Sequence, residues 1–114
     1  MSLVPELADT LAAESPHTLL LAAGGVADGR GLAASLMLGA DGVLLDEFTP
    51  AALGELVPRL RALARQRGSA VVLEASGVQS EQLAAYAATG IDLISTSAPV
   101  TRSSWLDLSM RFEA

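Results

Sequence analysis

Apolar residues along this chain fall into two kinds of run, spaced ones that predict helices and short continuous ones that predict strands. Pro5–Glu14 (PELADTLAAE) places Leu7 and Leu11 four residues apart with acidic residues between them, a helical spacing that Ser15-Pro16 ends. Thr18–Ala23 (TLLLAA) is a continuous apolar run closed by Gly24-Gly25, the pattern of a strand buried on both faces. Asp28 is placed to cap a helix over Gly31–Leu38, and Gly39 terminates it. Gly42–Leu45 reads as the second strand. Thr49-Pro50 starts a long helix, with a cap residue followed by proline at the first helical position. That helix runs to Gln66 and stops at Gly68, with a kink expected at Pro58 because proline lacks the N–H for a helical bond. Ala70–Leu73 reads as the third strand. Ser80 is the expected cap of a helix through Thr89, stopped by Gly90; Ile91–Ser95 is the fourth strand, and Ser103–Phe112 reads as a short final helix.

A helix followed by four strand-helix units predicts an α/β fold with a parallel sheet and right-handed crossovers. Two stretches also overlay. Leu32-Ala33-Ala34 falls on Leu83-Ala84-Ala85, Gly39 on Gly90 and Asp41 on Asp92, all at an offset of 51 (83 − 32). Repetition of a βαβ unit is how (β/α)8 barrels of the TIM type are built, and four strands make half of one. The expected organisation is a single (β/α)4 half-barrel domain over residues 1–114, with an N-terminal helix at 1–15 and internal βαβ repeats at 18–46 and 70–96. Four curved parallel strands leave two open edges, so closure by homodimerisation is expected; the alternative is a flat, doubly wound monomer.

Composition narrows the chemistry. The 114 residues are 51 % apolar and 18 % charged, enough for a core and unlike a disordered chain. Net charge is −6, with seven arginines and no lysine, so no basic cluster exists to neutralise a nucleic-acid backbone. The absence of cysteine excludes disulfides, thiolate catalysis and cysteine-ligated zinc, and a single histidine argues against a histidine metal site. No metal site is expected. No apolar run reaches membrane-spanning length and the N-terminus lacks a basic leader, so a cytoplasmic address with no membrane partner is expected.

Gly24-Gly25 and Ser76-Gly77 each sit where a strand hands over to a helix. Backbone N–H groups point outward there, glycine lets an anion approach, and ligands of α/β folds gather at this rim. A phosphate site is the functional reading; a tight turn needing glycine for its backbone angles is the structural one. Asp46 and Glu74 end the second and third strands on the same rim, where carboxylates suit ribose hydroxyls or a hydrated magnesium ion, or else a helix cap. Arg102 follows the fourth strand and is the candidate for pairing with an anion. Asp41 and Asp92 lie at the opposite rim and read as turn residues. Arg59, Arg61, Arg65 and Arg67 read as a solvated helix face, His17 as a surface residue and Trp105 as a packing anchor. No Ser-His-Asp arrangement, P-loop or zinc spacing is present, and no catalytic residue is assigned.

From Leu44 onward, LLDEFTP, VVLEASGV and AAYAATGIDLISTSAPVTRSSWLDLSMRF resemble the C-terminal barrel segment of quinolinate phosphoribosyltransferase (nicotinate-nucleotide pyrophosphorylase). The stretch LLLAAGGVADGRGLAASLMLGADGVLL, about residues 18–45, is similar instead to the late βαβ segment of nitronate monooxygenases, whose Gly-Gly loop holds flavin mononucleotide phosphate. Both are barrel families, so a chimera is one reading of the chain. The transferase resemblance implies that Asp46 meets the ribose of phosphoribosyl pyrophosphate, that Ser76 and Gly77 bind phosphate, and that Ser97-Ala98 do so after the last strand. Magnesium is implied only in company with that substrate. Flavin mononucleotide is not expected, because Asp46-Glu47 stand where the flavin family has Gly-Thr. The transferase pattern is also incomplete: Val78 replaces the second glycine of the Ser-Gly-Gly loop, Glu47 replaces an asparagine, and the lysines that help hold the dicarboxylate are absent.

The expected function is therefore a phosphate- or nucleotide-binding half-barrel related to quinolinate phosphoribosyltransferase, without full catalytic activity alone. One alternative is a non-catalytic structural or engineered scaffold. The other is a pentosyltransferase of NAD biosynthesis that needs a partner domain. The expected partners are a small phosphorylated ligand and a second copy of the chain.

Overall fold

The clearest element is the one the sequence marks most strongly. Thr49 Oγ1 accepts from the Ala52 N–H at 3.2 Å, and Pro50 opens a helix that runs unbroken through Pro58 to Gln66. One face of this helix buries Leu53, Val57, Leu60 and Ala64. Pro58 lies on the exposed side, where water can satisfy the carbonyl that loses its N–H partner. In the computed structural model, which describes residues 3–24 and 29–113, the order is α1 (Leu3–Glu14), β1 (Leu21–Ala22), α2 (Gly29–Met37), β2 (Gly42–Asp46), α3 (Pro50–Gln66), β3 (Val72–Ser76), a 3-10 turn (Ser80–Gln82), α4 (Leu83–Ala87), β4 (Leu93–Ile94) and α5 (Ala98–Thr101).

All strands are parallel, in the order β1-β2-β3-β4. The pairing aligns Val43 with Leu73 and Asp46 with Ser76, and Glu74 with Leu93. The fold is α/β, four parallel strands alternating with helices as in half of a TIM-type barrel, and the sheet is not closed. No helix among the described residues is long and apolar enough to cross a membrane.

Side chains alternate across the sheet. Val43, Leu45, Leu73 and Ala75 lie on one face and are buried against Leu32 and Leu36 of α2, Leu53, Val57 and Leu60 of α3, and Tyr86 of α4. The Tyr86 hydroxyl completes its burial by donating to the Phe48 carbonyl at 2.9 Å. The other face is only partly covered: Leu44, Val72 and Glu74 are half-buried, and Leu93 is 50 % exposed. Continuous apolar runs predict strands covered on both sides; here the helices cover one side, and the second apolar face is the one a barrel would turn inward.

The rim where strands begin is closed by a motif that occurs twice. Gly39 and Gly90 take positive φ (110° and 82°) and are followed by Asp41 and Asp92. Asp41 Oδ2 accepts from the Leu20 N–H at 2.9 Å, and Asp92 Oδ2 accepts from the Leu73 N–H at 2.8 Å. Each aspartate's own N–H returns a bond to the carbonyl of that same leucine. Arg61 of α3 and Arg67, the residue that caps its C-terminus, join in. Arg61 Nη2 donates to Gly90 O (2.6 Å) and Asp92 Oδ1 (2.8 Å), and Arg67 Nη2 donates to Ala40 O (3.2 Å). The expectation of a wholly solvated arginine face is thus corrected: two of the four arginines tie the helix to the turns that start β2 and β4.

Other boundaries move for local reasons. β3 begins at Val72 because the preceding residues close α3, the Ser69 N–H donating to Ala64 O at 3.0 Å. Gln79, not Ser80, caps the turn before α4; its N–H donates to Gln82 Oε1 at 3.3 Å. β1 and β4 pair over two residues each, because an edge strand has a neighbour on one side only. Asp28, the expected cap of α2, lies outside the described residues. The largest correction concerns the end of the chain. No helix forms over 103–112: the last helix is Ala98–Thr101, and residues 103–113 have no regular structure and are exposed. Trp105, expected as a packing anchor, is 99 % exposed. The apolar positions Leu106, Leu108, Met110 and Phe112 recur every two residues, so a helix would scatter them around its circumference rather than gather them on one face.

Candidate functional site

Beyond the carboxyl ends of β3 and β4 lies a cavity of about 500 Å³. Its first wall is the end of β3: Ser76 closes the strand, Gly77 takes φ 74°, and Val78 turns inward to the core. Its second wall is the segment after β4, where Ser97 precedes α5 and Arg102 ends it. Thr96 fastens the two walls together. Its hydroxyl donates to Val78 O at 2.6 Å and accepts from the Ala98 N–H at 3.2 Å. The two loops are therefore held at a fixed separation by one short side chain.

Of the residues singled out from the sequence, Ser76, Gly77, Ser97, Ala98 and Arg102 line this one cavity. The N–H groups of Gly77, Val78 and Ser97 enter no hydrogen bond among the described residues, whereas that of Ala98 is taken by Thr96. The Arg102 guanidinium has no hydrogen-bond or ion-pair partner among the described residues and is exposed. Asp46 stands at the edge, paired in register with Ser76, and its Oδ1 would lie 3.7 Å from a Cβ placed on Gly77. Glu74 is one layer deeper, where its carboxylate accepts the Ser95 hydroxyl hydrogen bond. Gly24 follows β1 at φ 77° with open space around it, on the same rim but away from the cavity. Gly25 lies outside the described residues.

Gln79, Ser95, Thr96 and Thr101 also line the cavity and were not singled out. Thr96 carried a usable signal: a β-branched hydroxyl residue straight after an apolar strand, on the rim already favoured for a ligand. The cavity thus collects unpartnered N–H groups, hydroxyls and one cation, with a carboxylate at its margin. Such a set suits an oxyanion attached to a hydroxylated group, the anion held away from Asp46 on the Arg102 side. Among the described residues, no three metal-binding side chains cluster.

A family model for the quinolinate phosphoribosyl transferase C-terminal domain matches residues 26–111. The chain belongs to that family. The quinolinate phosphoribosyl transferase match runs without interruption across Leu44, so it also takes in much of the stretch that resembles flavin barrels. Among individual relatives, a probable nicotinate-nucleotide pyrophosphorylase (carboxylating) of Synechocystis is 56 % identical over 50 residues, 43 % of this chain and 17 % of that protein. The corresponding protein of Archaeoglobus fulgidus is 39 % identical over 74 residues, 64 % of this chain and 28 % of the relative. A nitronate monooxygenase of Neurospora crassa is 44 % identical over 63 residues, covering 54 % of this chain and 17 % of that enzyme. The chain therefore spans less than a third of the length of each of these three relatives. Every residue of the cavity lies inside the quinolinate phosphoribosyl transferase match.

Proposed function

We propose that this chain binds a phosphorylated sugar, of the phosphoribosyl class, in the cavity beyond β3 and β4. The observation that carries this reading is the convergence on one cavity of the unpartnered Gly77 and Ser97 N–H groups and the unpaired Arg102 guanidinium. In this reading the phosphate sits between the Ser76-Gly77 turn and Ser97, with Arg102 neutralising it. Asp46, on the neighbouring strand, accepts from the sugar hydroxyls. Where the ligand carries a pyrophosphate, a magnesium ion would arrive with it, and Asp46 is the carboxylate free to meet that ion, since Glu74 is engaged by Ser95. Family membership supports a role in pyridine-nucleotide synthesis. Pentosyl transfer to a dicarboxylate would need cationic groups beyond the arginines here, supplied by a further domain or polypeptide.

The open sheet supports a second element of the reading, closure against a second copy of the chain edge to edge, which would cover the inward apolar face of Leu44, Val72 and Leu93. Calorimetry with phosphoribosyl pyrophosphate and magnesium tests the ligand assignment. Binding is expected with the parent chain and should be lost in Gly77→Asp, which sets a carboxylate beside the unpartnered N–H groups and near Asp46. Equal binding by parent and variant would overturn the site; a folded parent chain that binds neither phosphoribosyl pyrophosphate nor a mononucleotide would overturn the function.

A further inference from the structure

Glu74 is a carboxylate set between two leucines. Its register partners are Leu44 on β2 and Leu93 on β4, on the sheet face that the helices leave partly uncovered. A half-buried carboxylate in apolar company needs a donor, and the Ser95 hydroxyl supplies one by donating to Glu74 Oε1. Ser95 is the first residue beyond β4, and it also lines the cavity. A serine hydroxyl carries a single hydrogen, and an ionised carboxylate can only accept. With that hydrogen given to Glu74, Ser95 has only lone pairs to offer the cavity.

The other hydroxyls of the cavity are set differently. Those of Ser76 and Ser97 have no partner among the described residues, so their hydrogens are free to meet a phosphate oxygen, as are the Gly77 N–H and the Arg102 guanidinium. The hydrogens of Thr96 and Thr101 are spent on Val78 O at 2.6 Å and on Ser97 O at 3.0 Å. We propose that Ser95, its hydroxyl turned by Glu74, is a sugar-recognising residue of this cavity and accepts a hydrogen bond from a hydroxyl of the bound phosphorylated sugar. The inference rests on the phosphorylated-sugar reading and sharpens it. A lone pair facing an oxyanion repels it, so the phosphate is kept to the side of Ser97 and Arg102, and the ligand group that suits Ser95 is one that donates. Glu74 does not touch the ligand; it is a positioning residue that acts through Ser95, which leaves Asp46 as the carboxylate that meets the sugar directly.

Titration of the full chain with two probes, ribose 5-phosphate and inorganic phosphate, each without metal, tests this assignment. The parent should bind ribose 5-phosphate about tenfold more tightly than inorganic phosphate. Ser95→Ala deletes the acceptor and should weaken ribose 5-phosphate about tenfold while changing inorganic phosphate less than about twofold. Glu74→Leu frees the Ser95 hydrogen to turn toward an anion and should cut the preference for the sugar phosphate at least about threefold. Glu74→Gln keeps an oxygen that accepts from Ser95 and should retain the parent's preference. Equal weakening of both probes by Ser95→Ala would overturn the proposal, since a displaced wall weakens any ligand, and would leave the phosphate site standing. So would a parent that binds the two probes equally, or a Glu74→Gln chain no more selective than Glu74→Leu. A parent that binds neither probe would remove the phosphorylated-sugar reading itself, and this inference with it.

Discussion

The two rims of the sheet are built from similar material and differ in what their polar groups do. Where strands begin, each Gly-x-Asp turn turns its aspartate onto the backbone that precedes it across the sheet, and Arg61 and Arg67 donate to Asp92 and to carbonyls of the two turns. Polar groups there satisfy one another. Where strands end, Gly77, Val78 and Ser97 keep unpartnered N–H groups and Arg102 keeps an unpaired charge. Gly77, Ser97 and Arg102 are exposed, so their polar groups are left open to solvent or to a ligand rather than tied into the scaffold. Aspartate and glycine recur at both rims; geometry, not residue type, separates scaffold from site.

The largest effect is expected at the rim where strands begin. A Cβ on Gly42 would lie 2.4 Å from the Val72 carbonyl oxygen and 2.9 Å from Val72 Cβ, so Gly42→Ala must push β2 from β3. Urea unfolding should show a loss of at least about 3 kcal/mol. Next come the two aspartates. Asp92→Ala should cost about 2 kcal/mol, because it strands the Leu73 N–H and releases Arg61, whereas Asp41→Ala, whose carboxylate lacks an arginine, should cost about 1 kcal/mol. Equal losses would remove the distinction drawn between the two turns.

At the other rim, Thr96→Val keeps shape but removes the hydroxyl that bridges Val78 O and the Ala98 N–H. A loss of about 1 kcal/mol is expected in thermal unfolding, with weaker phosphate binding because the two walls are no longer fastened. Arg102→Met marks the end of the series: melting should be unchanged within about 0.5 kcal/mol, while phosphate affinity measured by calorimetry falls about tenfold. A variant that lost stability instead would place Arg102 in the scaffold.

Legibility from sequence followed the range of the interactions involved. α3 was readable to the residue because Thr49, Pro50 and Gly68 act on their nearest neighbours. The short strands β1 and β4 were overestimated, since apolar composition marks where a strand can form while pairing partners decide its length. Ser76, Gly77, Ser97 and Arg102 share one cavity, and their common rim is legible because the strand-to-helix ends can be located from chain order. Thr96 was missed because its importance lies in a bond to Val78, eighteen residues away in sequence. The final segment was misread as a helix although its two-residue alternation was on view.

By itself, then, the sequence determined the alternation of strands and helices, the parallel sheet that follows from it and which loops share the rim where strands end, because these rest on periodicity and on local backbone rules. Tertiary structure alone decided that Arg61 and Arg67 hold the turns where strands begin, that Glu74 is taken by Ser95 while Arg102 has no partner among the described residues, and that one apolar sheet face stays open. Those outcomes depend on which residues meet across distance, and a residue's partners, unlike its propensity, are fixed only when the chain has packed.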